Sequence, residues 1–558
     1  MPCRHGAILG FFLLFFCAPL NAQTPPANAI ASAHPLATQA GMEILAAGGN
    51  AFDAAIAVTA ALAVVEPTGS GLGGGGFWLL HRSKDKRDIM IDGREQAPLA
   101  ATRDMYLDGH GEVVPRLSVD GPLAAGIPGT AAALEHLARA YGRLPLATSL
   151  APAIRLAKAG FPADERYIRM ARFRLEALRR SPAAAAIFLR DGNAPQPGHV
   201  IRQPGLARTL EAIAERGAAG FYQGPVAKQL VKGVREAGGI WTLEDLAQYR
   251  VVERAPVTGR YHGMKIISAA PPSSGGIALV TMLNILANYD LDAMTSVTRK
   301  HVIVEAMRRA YRDRAEYLGD PDFVDIPIDR LIHPYYGAGL SQSIRLDRAT
   351  PSGSLPGFVL QEAGSDTTHF SILDREGNRV AATLSINFPF GAAFVPPGTG
   401  VLLNDEMDDF SVKPGTPNVY GLVGAVSNAI APGKRPLSSM SPTFVEIPGR
   451  GVAILGTPGG SRIITMVLLG ILDLAAGHGP RSWVTKGRYH HQYLPDIITY
   501  EPGALEPDEI TALATLGHDL KARKRPYGNM QAIFWDLKLN HVSAASDPRG
   551  TGQAIVSP

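Results

Sequence analysis

The chain has 558 residues, 46% hydrophobic and 19% charged, enough apolar material for a large core and too much for a mainly disordered protein. Lys and Arg total 54 against 50 Asp and Glu, a net charge of +4, and no basic block or basic-aromatic repeat points to nucleic acid as a partner. At about 150 residues per domain, length alone suggests three or four units.

The N-terminus reads as a secretory signal. Arg4 and His5 precede the apolar run "GAILGFFLLFFCAPL", and Ala22 ends "LNA" before the polar "QTPPANA". The run is shorter than the roughly 20 residues that span a bilayer, and "LFF" before Cys17 lacks the small residue expected at a lipid-anchored cysteine. Cys3 and Cys17 are the two cysteines, so a chain beginning at Gln23 has no disulfide. Export to the periplasm or medium is the expectation, with residues 1–22 removed and no later membrane span.

Next, "HPLATQAGMEILAAGGN" predicts a helix opened by Pro35 and closed by Gly48-Gly49, and "AFDAAIAVTAALAVVEP" predicts a helix apolar on all sides, hence buried. "TGSGLGGGGFWLLHR" is a glycine run entering a strand, where glycines permit close backbone packing, and "IMIDGRE" closes a second strand. Residues 130 to 320 carry most of the helical periodicity, as in "TAAALEHLARAYG", "ATSLAPAIRLAKAG" and "HVIVEAMRRAYRDRAEYLG". Within them "GRYHGMKIISAAPPSSGGIALVTMLNIL" reads strand, turn, helix. From about 340 to 366 periodicity gives way to Ser, Gly and Pro, a linker composition exposed enough to cut.

From 367 onward strands dominate. "THFSIL" and "RVAATLSIN" flank the turn "DREGN", and "GTGVLLNDEMDDF", "SPTFVEIPGRGVAILGTPGGSR" and "MQAIFWDLKLNHVSAAS" read as further strands, with a helix in "IITMVLLGILDLAAG". No fixed period indicates a solenoid or propeller. The odd-length turn centred on Glu376 pairs Leu373 with Arg379, and counting outward sets Thr367 opposite Ser385. Alternation puts Thr368, Phe370 and Ile372 with Val380, Ala382, Leu384 and Ile386 on a core face. Thr367, His369, Ser371, Thr383, Ser385 and Asn387 share the other face, which is either a solvated polar surface or a site.

Thr367 also stands where linker meets strand. Cleavage of the Asp366–Thr367 bond gives it a free α-amine of pKa about 8, a base beside its own hydroxyl. That hydroxyl can itself attack the Asp366 carbonyl to form an ester that water opens, and β-branching holds Oγ in few rotamers.

In these residues the chain resembles the γ-glutamyltranspeptidases, self-cleaving N-terminal-nucleophile hydrolases that transfer or hydrolyse γ-glutamyl groups. The resemblance covers nearly the whole mature chain. It rests on ordered blocks: "GGGGF" at 73–77, "DGRE" at 92–95, "TTHFS" at 367–371, "LLNDEMDDFS" at 402–411, "RPLSSMSPT" at 435–443, "GTPGGSRIIT" at 456–465, and "ASDPR" near the end. It implies an α+β, four-layer α-β-β-α sandwich shared by a large fragment, 23–366, and a small one, 367–558, intertwined as a heterodimer.

By motif, the resemblance makes Thr367 the nucleophile and Ser385 its supporting hydroxyl, where the family usually has threonine. Gly459 and Gly460 offer N–H groups to the oxyanion, a task suited to residues without Cβ and otherwise an ordinary turn. Arg94, Ser438 and Ser439 match the substrate's α-carboxylate end, where a guanidinium fork suits a planar anion. Asn387, Glu406 and Asp409 match its α-ammonium end, with Gln or Glu both found at 406 in the family. "KPGTPNVYGLVG", 413–424, resembles a lid loop with Tyr420 as gate.

No cofactor is implied. Adjacent His490-His491 lack the spacing of a helical zinc motif and read as structural, and neither a Walker loop nor a "GxSxG" elbow is present. The partners implied are glutathione and other γ-glutamyl donors, with water, amino acids or dipeptides as acceptors. The alternatives are an acylase of another substrate, such as a β-lactam side chain or poly-γ-glutamate, and a non-catalytic exported binding protein.

Overall fold

In the computed structural model, the structure describes residues 23–355, 367–413, 416, 418, 422 and 424–558. Residues 1–22, read above as a signal, together with Asp366 and Tyr420 lie outside the described residues.

The hairpin of Thr368–Leu373 and Arg379–Ser385 forms in the register read from its turn, with Leu373 opposite Arg379 and Thr368 opposite Leu384. One step further, Thr367 faces Ser385. Asp374 builds the turn by accepting from the amides of Glu376 and Asn378, both at 2.9 Å, while Gly377 takes φ +85°. Its other oxygen accepts from Ala51 N–H, tying the hairpin tip to the helix Ala51–Val65. Asn50 and Asp53 start that helix with a capping box, and all fifteen of its residues are buried.

The hairpin lies in a seven-stranded antiparallel sheet ordered Gln553–Ser557, Asn28–Ser32, Thr368–Leu373, Arg379–Ser385, Gly75–Arg82, Arg87–Gly93, Val252–Arg254. A second, six-stranded antiparallel sheet runs His541–Ser546, Gln531–Asp536, Gly451–Gly456, Thr443–Ile447, Met264–Ser268, Val257–Tyr261. Helices Pro35–Ala46, Ala51–Val65, Thr130–Ala140 and Leu146–Ala159 cover the outer face of the first sheet, packing on Ile30, Trp78, Leu80, Phe370 and Ile372. Helices Gly275–Leu286, Ser296–Tyr317 and Ile463–Ala475 cover the second. The result is the expected four-layer α-β-β-α sandwich.

Alternation holds along the hairpin: Phe370, Ile372, Val380, Ala382, Leu384 and Ile386 sit in the core under the first helical layer. The opposite face meets the second sheet instead of solvent. His369 is fully buried with Nδ1 2.8 Å from Thr383 Oγ1, and Ser371 Oγ donates to the Gln531 carbonyl at 3.1 Å. Gly456 makes room for the imidazole, because a Cβ there would stand 2.2 Å from His369 Cε1. The polar row is satisfied between two sheets, and its end near Thr367 borders a cavity.

Two expectations change, and one feature is new. "GTGVLLNDEMDDF" is not a strand: Leu403 makes one isolated bridge with Gly73, and Glu406–Asp409 is a short 3-10 turn. Asn404 instead bonds the Gly73 and Gly126 backbones, and Asp405 accepts from Phe388 N–H, so local polar side chains take the place of a ladder. The single strand expected before the helix at Gly275–Leu286 is a hairpin, Val257–Tyr261 and Met264–Ser268, turned tightly through His262 (φ +45°) and Gly263 (φ +81°). The short strands Asn28–Ser32 and Gln553–Ser557 pair at one edge without having been read from the sequence.

Candidate active site

The glycine run positions the strand end that carries Ser385. A Cβ on Gly74 would lie 2.1 Å from the Ser385 carbonyl oxygen, and one on Gly73 2.1 Å from that of Leu402, so only glycine admits these backbones. Gly69 similarly lets the Thr367 carbonyl approach, since a Cβ there would stand 3.1 Å from that oxygen. Thr367 itself is 3% exposed. Its neighbour Thr368 turns the other way and donates to Glu66 Oε2 at 2.5 Å; Glu66 also pairs with Arg166 at 3.1 Å. The two adjacent threonines therefore have separate surroundings, as alternation requires.

Beyond the strand, Ser385 Oγ accepts from Asn387 N–H at 2.8 Å, and a hydrogen bond from Ser385 to the Glu406 carboxyl opposes the rise in that group's pKa. Asn387 adopts φ +71°, a left-handed conformation that asparagine tolerates, and its amide donates to the Asp405 carbonyl at 3.0 Å. One narrow cavity, about 20 Å³, is bordered by Thr367, Ser385, Asn387, Arg94, Asp409, Ser438, Ser439 and Gly460.

Arg94 and the acids form one cluster. Arg94 Nη1 meets Glu406 Oε2 and Nη2 meets Asp409 Oδ2, each at 2.5 Å, and Nε donates to the Pro436 carbonyl at 3.2 Å. The sequence reading divided these residues between two ends of a substrate, yet the fold brings them together. An α-carboxylate and an α-ammonium share one carbon, so their binding groups have to be adjacent. Burial opposes the charge on Arg94, but Glu406, Asp409 and Glu95 hold its pKa above the ordinary value. Burial pushes the Glu406 carboxyl up to about 7, with Arg94 opposing and Asp409 adding to the rise.

Ser438 and Ser439 arrive on a strap that pairs with the loop before Gly275–Leu286: Ser438 N–H donates to the Pro272 carbonyl, and Ser274 N–H and Oγ both donate to the Ser438 carbonyl. Gly459 (φ +145°) and Gly460 (φ +57°) precede the helix Ile463–Ala475, and Gly459 acts as N-cap of the 3-10 turn that leads into it. Their backbone conformations favour glycine, and the helix start adds partial positive charge on that side of the cavity.

Two groups behind the cavity's lining residues were not read as site residues. Glu95, in the quoted "DGRE", is fully buried 3.6 Å from Arg94, and neither carboxylate oxygen has a hydrogen-bond partner; burial foremost, and then Glu406, push its pKa well above the carboxylate range. Arg314, on the long helix Ser296–Tyr317, reaches Ser439. Adjacency to Arg94 was the signal for Glu95; nothing local marked Arg314.

Elsewhere, His490 bonds Thr465 and Gln492, and His491 bonds Asp496, in keeping with structural roles. His301, Glu305 and His518 cluster closely enough to suggest a metal. However, His301 Nε2 faces the Arg345 carbonyl at 2.7 Å, His301 Nδ1 faces His518 Nε2 at 2.7 Å, and Arg308 and Arg309 pair with Glu305. Two adjacent guanidinium groups disfavour a cation there. The larger cavity, about 760 Å³, includes Arg169, Arg172, Arg525 and Arg549 in its lining and is remote from Thr367 in its residues.

A four-layer sandwich in which a threonine opens an inner strand, across from a second hydroxyl and beside a buried charged cluster, defines an N-terminal-nucleophile hydrolase. The gamma-glutamyltranspeptidase family model matches residues 37–557, and the chain belongs to that family. The glutathione hydrolase proenzyme of Escherichia coli (strain K12) is 43% identical over 525 residues, covering 93% of this chain and 90% of the relative. That of Bacillus subtilis (strain 168) is 36% identical over 546 residues, 94% and 91% of the two chains. Among solved structures, the cephalosporin acylase from Bacillus halodurans aligns at TM-score 0.84 with 28% identity, over 98% of this chain and 99% of that one. The Helicobacter pylori gamma-glutamyltranspeptidase aligns at TM-score 0.57 with 44% identity, over 58% of this chain and 93% of that one.

Proposed function

We propose that this protein is an exported γ-glutamyltransferase and glutathione hydrolase that matures by cutting itself between Asp366 and Thr367. Residues 1–22 are the signal peptide, 23–366 the large fragment and 367–558 the small one. The observation that carries the substrate assignment is the Arg94, Glu406 and Asp409 cluster, whose Arg94 and Asp409 border the same cavity as Thr367 and which suits a free amino-acid head. Among the described residues, no helix is long and apolar enough to cross a membrane.

Maturation begins when Thr367 Oγ attacks the Asp366 carbonyl carbon; the C–N bond breaks as the nitrogen takes the hydroxyl proton, leaving an ester. Water then opens the ester, giving an Asp366 carboxylate and a free Thr367 α-amine. In turnover that amine accepts the Oγ proton as Oγ attacks the γ-carbonyl of the donor. The Gly459 and Gly460 N–H groups stabilise the oxyanion, and the proton passes to the departing amine. Ser385, the second hydroxyl, keeps Thr367 Oγ oriented through a hydrogen bond. The γ-glutamyl ester is released to water or to the amine of an amino acid or dipeptide. Arg94, Ser438 and Ser439 hold the α-carboxylate, Asn387, Glu406 and Asp409 hold the α-ammonium, and Tyr420 gates the pocket. No cofactor takes part.

Mass spectrometry of the purified protein, joined to assays with γ-glutamyl anilide and glutathione, with and without a dipeptide acceptor, tests this reading. Two fragments meeting at Thr367 and activity on both donors are expected, and Thr367→Ala should remain one chain. A wild-type chain that stays uncut, or a Thr367→Ala chain that splits at the same bond, would overturn the maturation step. Acyl-β-lactams turned over in place of γ-glutamyl donors would shift the protein to the acylases, a reading the fold likeness to the cephalosporin acylase keeps in view. An intact fold that cleaves none of these substrates would leave a binding protein.

A further inference from the structure

Arg314 sits in the last turn and a half of the helix Ser296–Tyr317 and is 5% exposed. Its Nε donates to Ser274 Oγ at 3.0 Å and its Nη2 to Ser439 Oγ at 3.3 Å. Among the described residues no carboxylate forms an ion pair with it. A buried guanidinium bonded only to hydroxyls is an unfavourable arrangement by itself, because the loss of hydration is not offset by an opposite charge. Burial lowers its pKa, Tyr311 and Asp409 oppose that shift, and Arg94 adds to it. Folding alone gives no reason to keep a full positive charge here.

The cavity supplies a reason. Arg94 is already engaged by Glu406 and Asp409, each bonded to one of its terminal nitrogens, so that cluster favours an ammonium and leaves little net attraction for a carboxylate. Arg314 adds the missing positive charge on the Ser438 and Ser439 side. It also sets the direction of a hydroxyl. Ser438 Oγ accepts from Met440 N–H at 3.1 Å, and Ser439 Oγ accepts from Arg314, so each serine is held from behind by a donor and its own proton is directed to another acceptor.

We infer that Arg314 is a positioning residue that selects donors with an ionised α-carboxylate, polarising Ser439 toward that anion and receiving from it the counter-charge that the protein itself does not provide. This rests on the γ-glutamyl reading above and adds a specificity determinant to it. A donor with the same γ-amide but no α-carboxylate charge has nothing to offer this arginine.

The test uses full-length Arg314→Gln and Arg314→Met proteins, confirmed as two fragments by mass spectrometry. Inhibition of γ-glutamyl anilide hydrolysis by L-glutamate is compared with inhibition by isoglutamine, in which the α-carboxylate is a neutral amide. Wild type should prefer glutamate, and both variants should lose at least about tenfold of that preference, the scale of one charge-assisted hydrogen bond. KM for the anilide should rise with kcat little changed, and the melting temperature should hold or increase, since an unpaired buried charge has been removed. Equal loss of both inhibitors, an unchanged preference, or failure of both variants to fold would overturn the inference and make Arg314 a structural residue. A wild type inactive on γ-glutamyl anilide would instead strike the reading of the reaction itself.

Discussion

The guanidinium of Arg94 and the carboxylate of Glu406 meet at 2.5 Å inside the protein, each 1% exposed at the side chain. Neither is solvated, so each depends on the other and on what enters the cavity. With Glu406 raised to about 7, its charge changes in the near-neutral range.

The pH dependence follows from that value. Below about 7 Glu406 is mainly protonated, and above it the carboxylate is available to an ammonium, so KM for a γ-glutamyl donor should fall as pH rises through 7. Folding stability moves oppositely. Because the folded pKa lies above the ordinary 4.5, the native state binds more protons, and the stabilisation present below 4.5 is lost as pH rises through about 7. Glu406→Gln should flatten both trends, measured as KM and melting temperature between about pH 5 and 9.

At Ser385 the expected outcome depends on the hydroxyl alone. Ser385→Ala should slow both self-cleavage and turnover by about a hundredfold, comparable with loss of one oriented hydrogen-bond donor in a site. Ser385→Thr, which restores the methyl common in the family, should stay within about tenfold. A gel time course of precursor conversion and kcat for γ-glutamyl anilide report on the two steps separately.

Thr368→Val tests the other threonine. It removes the bond to buried Glu66 and should cost about 1–3 kcal/mol of stability. The variant should still convert to two fragments, seen by mass spectrometry, while its melting temperature falls.

Close backbone approach gives a further expectation. Gly73→Ala drives a methyl to within 2.1 Å of the Leu402 carbonyl oxygen, whereas the same change at Gly109 meets nothing within 4 Å. The first should cost about 3 kcal/mol or more and the second less than about 0.5, compared by thermal or urea unfolding.

Acid should unfold the protein partly through its buried histidines. Burial lowers His369 to about 3, and lowers His491 to about 4 with the help of Arg308, so both are neutral in the folded state. Their contribution is present above the ordinary 6.5 and is lost as pH falls toward those values. His369→Gln should reduce the loss of melting temperature between about pH 6.5 and 4 relative to wild type.

The hairpin was legible because an odd turn and strict alternation leave one register, and Thr367 and Ser385 followed from counting. Val257–Tyr261 was not separated from Met264–Ser268 because a two-residue His-Gly turn carries less signal than Asn-Gly. "VLLNDEMDDF" has the apolar start of a strand, but Asn404 and Asp405 spend their side chains on neighbouring backbones, a tertiary outcome that propensity does not encode. The charged cluster was legible as residues and not as geometry: Glu406 and Asp409 share one short turn, but Arg94 lies 312 and 315 residues before them, and only the tertiary fold makes the three one unit. Arg314 had no local mark because its partner serines lie in other elements.

In the first sheet, Asn28 stands opposite Ser557, so the beginning of the first strand and the end of the last are neighbours. A circular permutant beginning at Thr367, linked from residue 558 to residue 23 by a few flexible residues and ending at 355, would thus rebuild both sheets in a new chain order. Once its initiator methionine is removed, it would carry the threonine amine from synthesis, and the chemistry of turnover could be studied apart from the chemistry of self-cleavage.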